Sequence, residues 1–123
     1  MNIVVYVLIL EDDPAVAALL CDVFRATDYR FFVLRIKVAA ERFLRRVRPD
    51  LVIVDCGLLD GSGMQAAQMA AETKVPVVVI SGHFGVREEV EALGFLFLPK
   101  PFRVAELLAL AAKIVDRDPF RLG

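Results

Sequence analysis

The stretch LVIVDCGLLDGSG, residues 51–63, decides how the rest of the chain is read. Leu51 to Val54 form an apolar run of the kind that makes a strand buried on both faces. The run ends on a bare carboxylate, Asp55, followed at once by a loop of glycine and leucine. One reading of Asp55 is local, because aspartate caps turns and helices by accepting from nearby backbone N–H groups. The other is chemical: the carboxylate stands at the tip of a strand so that it can react. The remaining elements discriminate between the two.

Working outward, apolar runs alternate with amphipathic segments, without repeats or low-complexity tracts. Residues 3–10 (IVVYVLIL) read as a strand buried on both faces. Asp13-Pro14 opens a helix, with Asp13 at the N-cap and Pro14 at the first helical position. Val16, Leu19, Leu20, Val23 and Phe24 then recur at the spacing of one buried face. Residues 30–35 make a second strand, followed by a helix with Ala40, Phe43, Leu44 and Val47 inward and Pro49 as its stop. Residues 51–55 are the third strand, about 64–73 a helix, and 76–80 the fourth strand. A short helix covers about 86–93, with Val86, Val90 and Leu93 on one side. Residues 95–98 are a fifth strand, and 103–116 form an amphipathic last helix. Five strand–helix units with strands this apolar imply an α/β fold, a parallel sheet with helices on both faces.

Composition narrows the class. The chain has 123 residues, of which 58% are hydrophobic, consistent with a single domain over 1–123. Its longest apolar run, Ile3 to Leu10, is eight residues and ends in EDD, too short to span a bilayer. No secretion signal is expected. Cys21 and Cys56 lack metal-ligand spacing and read as reduced thiols in a cytoplasmic protein. A net charge of −1 gives no reason to expect direct nucleic-acid binding.

In a parallel sheet, ligands bind beyond the carboxyl ends of the strands. After the first strand stand Glu11, Asp12 and Asp13; after the third, Asp55; after the fourth, Ser81; after the fifth, Lys100 and Pro101. Each has a plain alternative: Asp13 as the helix cap, Ser81 as a cap, Lys100 as a solvated charge. Together they place several carboxylates, a hydroxyl and an ammonium on one rim. Carboxylates about 4 Å apart repel by roughly 4 kcal/mol at an effective dielectric near 20. A hard cation such as Mg²⁺, which takes few carboxylates and keeps waters, relieves that repulsion. With a lysine and a hydroxyl added, the rim suits a phosphoryl group, and a carboxylate is a competent nucleophile towards phosphorus.

The same residues resemble the receiver domain of bacterial two-component response regulators, over about Val4 to Val115. LILEDDP is similar to the family's acidic pair, Glu11 and Asp12; PDLVIVDCGLLDGSG to its phosphoacceptor segment; PVVVISG to its switch hydroxyl; and FLFLPKPF to its lysine segment. The resemblance implies a doubly wound, flavodoxin-like (βα)5 fold with five parallel strands in the order 2-1-3-4-5. It implies Asp55 as phosphoacceptor, with Lys100 and Ser81 contacting the phosphoryl group. Mg²⁺ would be held by Asp12, Asp55 and the backbone carbonyl of Gly57, with Glu11 acting through water. Ser81 and Phe97 would be the switch pair. The donor would be a sensor histidine kinase or a histidine phosphotransfer protein, the output a protein contact or a relay, and the chain no enzyme beyond its own phosphorylation and dephosphorylation. Downstream partner and dimerisation are left open.

The pattern is broken in places. Leu59 stands where the family has proline. Ser81 to Lys100 spans 19 positions, short for the family, so a reduced helix 4 region is expected. LRIKVAAERFL, before the second helix, lacks the usual small or acidic turn residues. Gly57 offers no side chain to orient a water, and His83 reads as a loop histidine. Two other functions compete. A pseudo-receiver would keep the fold and serve unphosphorylated as a binding module. A nucleotide-binding enzyme fragment would use Gly61-Ser62-Gly63-Met64-Gln65-Ala66, but residues 55–60 separate that motif from the strand, too many for a tight phosphate turn.

Overall fold

In a computed structural model describing residues 4–55 and 63–115, the strands are β1 (Tyr6–Leu10), β2 (Arg30–Leu34), β3 (Leu51–Asp55), β4 (Val77–Ser81) and β5 (Leu96–Pro99). Alternating with them are α1 (Pro14–Arg25), α2 (Lys37–Arg46), α3 (Gly63–Glu72), α4 (Arg87–Ala92) and α5 (Val104–Val115). All strand pairs are parallel and the order is β2-β1-β3-β4-β5. The registers Leu10↔Val54, Asp55↔Ile80 and Ser81↔Pro99 bring the carboxyl ends of β1, β3, β4 and β5 level. Pleat alternation then sorts the core into two layers. Leu8, Leu10, Val52, Val54 and Val79 pack with Ala40 of α2, Ala66 and Ala70 of α3 and Val90 of α4. Val7, Ile9, Leu51, Ile53 and Ile80 pack with Leu20 and Phe24 of α1 and Leu107 and Ala111 of α5. This is the doubly wound architecture expected.

Local chemistry explains the element ends. Asp13 caps α1 by accepting from the N–H groups of Ala15 (2.9 Å) and Val16 (3.4 Å). Gly63 allows α3 to start against β3, since a Cβ there would sit 2.5 Å from Val54 Cγ1 and 2.6 Å from the Asp55 carbonyl oxygen. Gly94, at φ +85°, reverses the chain after α4.

Several expectations need correction. Leu19 is 49% exposed, and Ala17 takes its place beside Leu20 and Phe24. Val47 lies beyond α2 in extended geometry and is exposed, because the chain must straighten ahead of Pro49. The described part of the first strand starts at Tyr6. Strands β3 and β4 are buried on both faces along nearly their whole length, but β2, at the sheet edge, is half-open, with Phe32 exposed. The turn before α2 has no capping side chain; Ile36 fills the N-cap position without one. The reduced fourth helix is as expected: a 3₁₀ turn over Phe84–Val86 leads into only six residues of α4, and Leu93 falls outside it and is exposed.

Candidate functional site

The level strand ends carry the polar residues onto one rim. Glu11 and Asp12 follow β1, Asp55 closes β3, Ser81 closes β4 and Lys100 follows β5. One carboxylate oxygen from each of Glu11, Asp12 and Asp55 lies within 4.8 Å of the others. Lys100 Nζ donates to Asp55 Oδ2 at 2.9 Å and stands 3.6 Å from Glu11 Oε1. The Lys100 backbone N–H donates to the Ser81 carbonyl at 2.9 Å, fixing the β5 end against β4. The Lys100–Pro101 peptide is cis.

The electrostatics of this cluster follow from burial. Glu11 is 1% exposed, and its Oε1 lacks a hydrogen-bond partner among the described residues. Burial, helped by a hydrogen bond to Asp55 and that residue's charge, pushes the Glu11 carboxyl up to about 8. Burial works to lower the Lys100 ammonium, but the hydrogen bond and charge of Asp55 outweigh it, with Glu11 adding to them, and hold it above its ordinary value. A buried carboxylate whose Oε1 has an ion pair at 3.6 Å but no hydrogen bond, beside two other carboxylates, is a donor set suited to a hard divalent cation. The residues therefore fit Mg²⁺.

Ser81 is buried, and its Oγ accepts from the His83 N–H at 3.0 Å, so its plain role as a turn-forming hydroxyl is present. A hydroxyl that accepts there still has its proton to donate. Phe97, on β5, is buried in the layer shared with Val90, and the Arg87 guanidinium covers its ring at 5.5 Å from the centroid. His83 is exposed. Gly57, Leu59 and Cys56 lie outside the described residues, as do positions 61 and 62 of the glycine motif; Gly63 serves helix packing. Sequence reasoning missed two contacts at the site. Arg87 covers Phe97, and Arg35 reaches across from the β2–α2 turn to the Asp12 carbonyl oxygen at 3.2 Å. Neither has a local signal, since each joins residues through the order of the strands.

Comparison with known proteins agrees with this fold. The family model described as response regulator receiver domain matches residues 7–112. The chain belongs to that family. The cell cycle response regulators CtrA of Brucella ovis and Brucella abortus are each 27% identical to it over 117 residues, which cover 91% of this chain and 50% of theirs. The chain thus spans about half the length of the curated relatives it matches. Among solved structures, the receiver domain of a Pseudomonas aeruginosa sensor histidine kinase, with magnesium coordinated in its active-site cleft, superposes with a TM-score of 0.83 at 25% identity, over 93% of this chain and 99% of that one. The non-phosphorylated receiver domain of HemR from Leptospira biflexa gives 0.82 at 26% identity, over 97% and 98%. A CheY-like receiver domain from Methanospirillum hungatei, at 16% identity and a TM-score of 0.85 over 93% and 95%, shares the fold. Among the described residues, no helix is long and apolar enough to cross a membrane.

Proposed function

We propose that the chain is a single phosphoacceptor receiver domain that takes a phosphoryl group onto Asp55. The observation that carries this reading is the cluster itself: three carboxylates within 4.8 Å and one lysine touching two of them. The donor is the phosphohistidine of a sensor kinase or phosphotransfer protein. An Asp55 carboxylate oxygen forms the new O–P bond as the N–P bond breaks, and the electron pair stays on the imidazole, which takes a proton from water. The product is an acyl phosphate. Asp12 and Asp55, with the Gly57 carbonyl, would hold Mg²⁺ directly and Glu11 through water, and the ion's charge would neutralise the phosphoryl oxygens. Lys100 exchanges its contact with the free carboxylate for one with the phosphoryl group. Ser81 donates its hydroxyl proton to the same group, and the movement reaches Phe97 and the α4–β5 surface. The domain acts in the cytoplasm, where phosphohistidine donors of this kind are found.

Incubation with acetyl phosphate and Mg²⁺ should add one phosphoryl group by intact mass, and Asp55→Asn should remove that addition. Wild-type protein that stays unmodified at saturating donor and metal would instead establish a pseudo-receiver.

A further inference from the structure

At the far side of the sheet from β5, the β2 edge has main-chain groups to offer. The Arg30 N–H donates to the Val5 carbonyl at 2.8 Å and the Leu34 carbonyl accepts from the Glu11 N–H at 3.0 Å. Residues 30, 32 and 34 therefore face β1, and alternation along a strand turns the N–H and C=O groups of Phe31 and Val33 outward. β2 is the last strand on that side, so among the described residues no strand pairs with them. Edges of this kind are commonly shielded, and an open one is a template for another strand.

What flanks the edge gives it selectivity. On the α2 side lies a groove of about 630 Å³ lined by Leu34, Ala39, Arg42, Phe43, Arg45 and Arg46. Beside it the exposed Phe32 ring is stacked on Tyr6 (6.3 Å between centroids) and tilted against Phe43 (5.0 Å). On the α1 side a second groove, of about 390 Å³, is walled by the rings of Phe24, Tyr29 and Phe31 and also lined by Arg25, Thr27 and Arg30. A strand added beside β2 would send its side chains alternately to these two faces. Charge selects the occupant. Seven of the chain's 15 basic residues lie between positions 30 and 48, against one carboxylate, Glu41, although the whole chain carries −1. Arg42, Arg45 and Arg46 are exposed and in no ion pair among the described residues. Pairing two copies through β2 would set their arginine rows against each other, so the complementary partner is acidic.

We propose that the β2 edge docks an extended acidic segment of a partner protein as a sixth strand. Its apolar side chains enter the aromatic groove beside α1, and its carboxylates meet Arg42, Arg45 and Arg46 beside α2. Main-chain hydrogen bonds to Phe31 and Val33 supply register-independent affinity and the two grooves supply specificity. This surface is separate from the acidic rim and does not depend on phosphorylation.

The probe is the peptide acetyl-VEVEVEV-amide, titrated into ¹⁵N-labelled protein. Two twins, N-methylated on one or the other alternate set of residues, remove the donors on one strand edge each. Expected are shifts centred on the Phe31 and Val33 amides, with affinity at least about tenfold weaker for one twin only, since an added strand pairs through a single edge. A similar loss is expected for the Arg42→Glu, Arg45→Glu, Arg46→Glu variant and for rising salt. The twins act on unaltered protein, so the difference between them is decisive even if that variant does not fold. The proposal is overturned by absence of binding, by twins that both bind like the parent, by shifts centred away from β2, by equal binding of acetyl-VKVKVKV-amide, or by an oligothymidylate that displaces the acidic peptide from these amides.

Discussion

In metal-free protein, replacing Glu11 with glutamine should stabilise the fold near pH 8 and change it little near pH 5. The reason is the buried carboxyl, whose titration is raised from 4.5 to about 8 by burial and by the neighbouring Asp55. The unfolded chain loses this proton near 4.5, while the folded chain keeps it to about 8. Between those values the folded state binds more protons, so stability is full below 4.5 and falls as pH rises through 8. One unit corresponds to about 1.4 kcal/mol, so the gross cost near pH 8 approaches ~4 kcal/mol, and relaxation around the site leaves an expected ~2–4 kcal/mol. Near pH 5 the same relation leaves less than about 1 kcal/mol. Glutamine resembles the protonated acid in size and neutrality, and its N–H can donate to Asp55, so the variant escapes the cost. Urea unfolding with EDTA at the two pH values reads the difference directly; far-UV circular dichroism is the signal, since the chain has no tryptophan. A variant no more stable than wild type near pH 8, or equally stabilised at both pH values, would refute this account of Glu11. Mg²⁺ should reverse the ranking, because a ligand that binds the folded state raises its stability and glutamine is a poorer ligand than carboxylate. Equal gains from Mg²⁺ in both proteins would remove Glu11 from the metal site.

Two further substitutions test how the scaffold holds the rim. Gly63→Ala places a Cβ within 2.6 Å of the Asp55 carbonyl oxygen and closer still to Val54, so α3 must shift away from β3; we expect a loss of ~2–3 kcal/mol in urea unfolding, and a value below ~0.5 kcal/mol would show that the helix can retreat freely. Lys74 sits at φ 62°, with its N–H and that of Val75 donating to Ala71 and Ala70 at the end of α3; Lys74→Gly relieves the strain of a side chain in that conformation and should stabilise by ~0.5–1 kcal/mol, with a destabilised variant contradicting it.

How much of the fold and the rim was legible in the residues depended on the range of the cause. Strand and helix identities are set by local periodicity, and parallel strands direct all their carboxyl ends to one side. The sequence alone therefore placed Glu11, Asp12, Asp55, Ser81 and Lys100 on a common rim, and Asp13-Pro14 announced its own helix start. Errors arose where burial depended on a neighbour distant in the chain. Leu19 and Val47 fit a helical stripe but face solvent, and the second strand reads like the others as covered on both faces yet is half-open at the sheet edge, because nothing within β2 states that no strand lies beyond it.

Tertiary structure alone decided the energetics. Glu11 and Asp12 are adjacent acids with the same local chemistry, but only Glu11 is closed off from water, and desolvation is a property of what packs around a group. The reach of Lys100 to both Asp55 and Glu11, the cover of Arg87 over Phe97 and the exposure of the arginine row on α2 likewise follow from strand order and helix placement. Periodicity determines which residues form the elements; the distances between charges on different elements exist only once the sheet has closed.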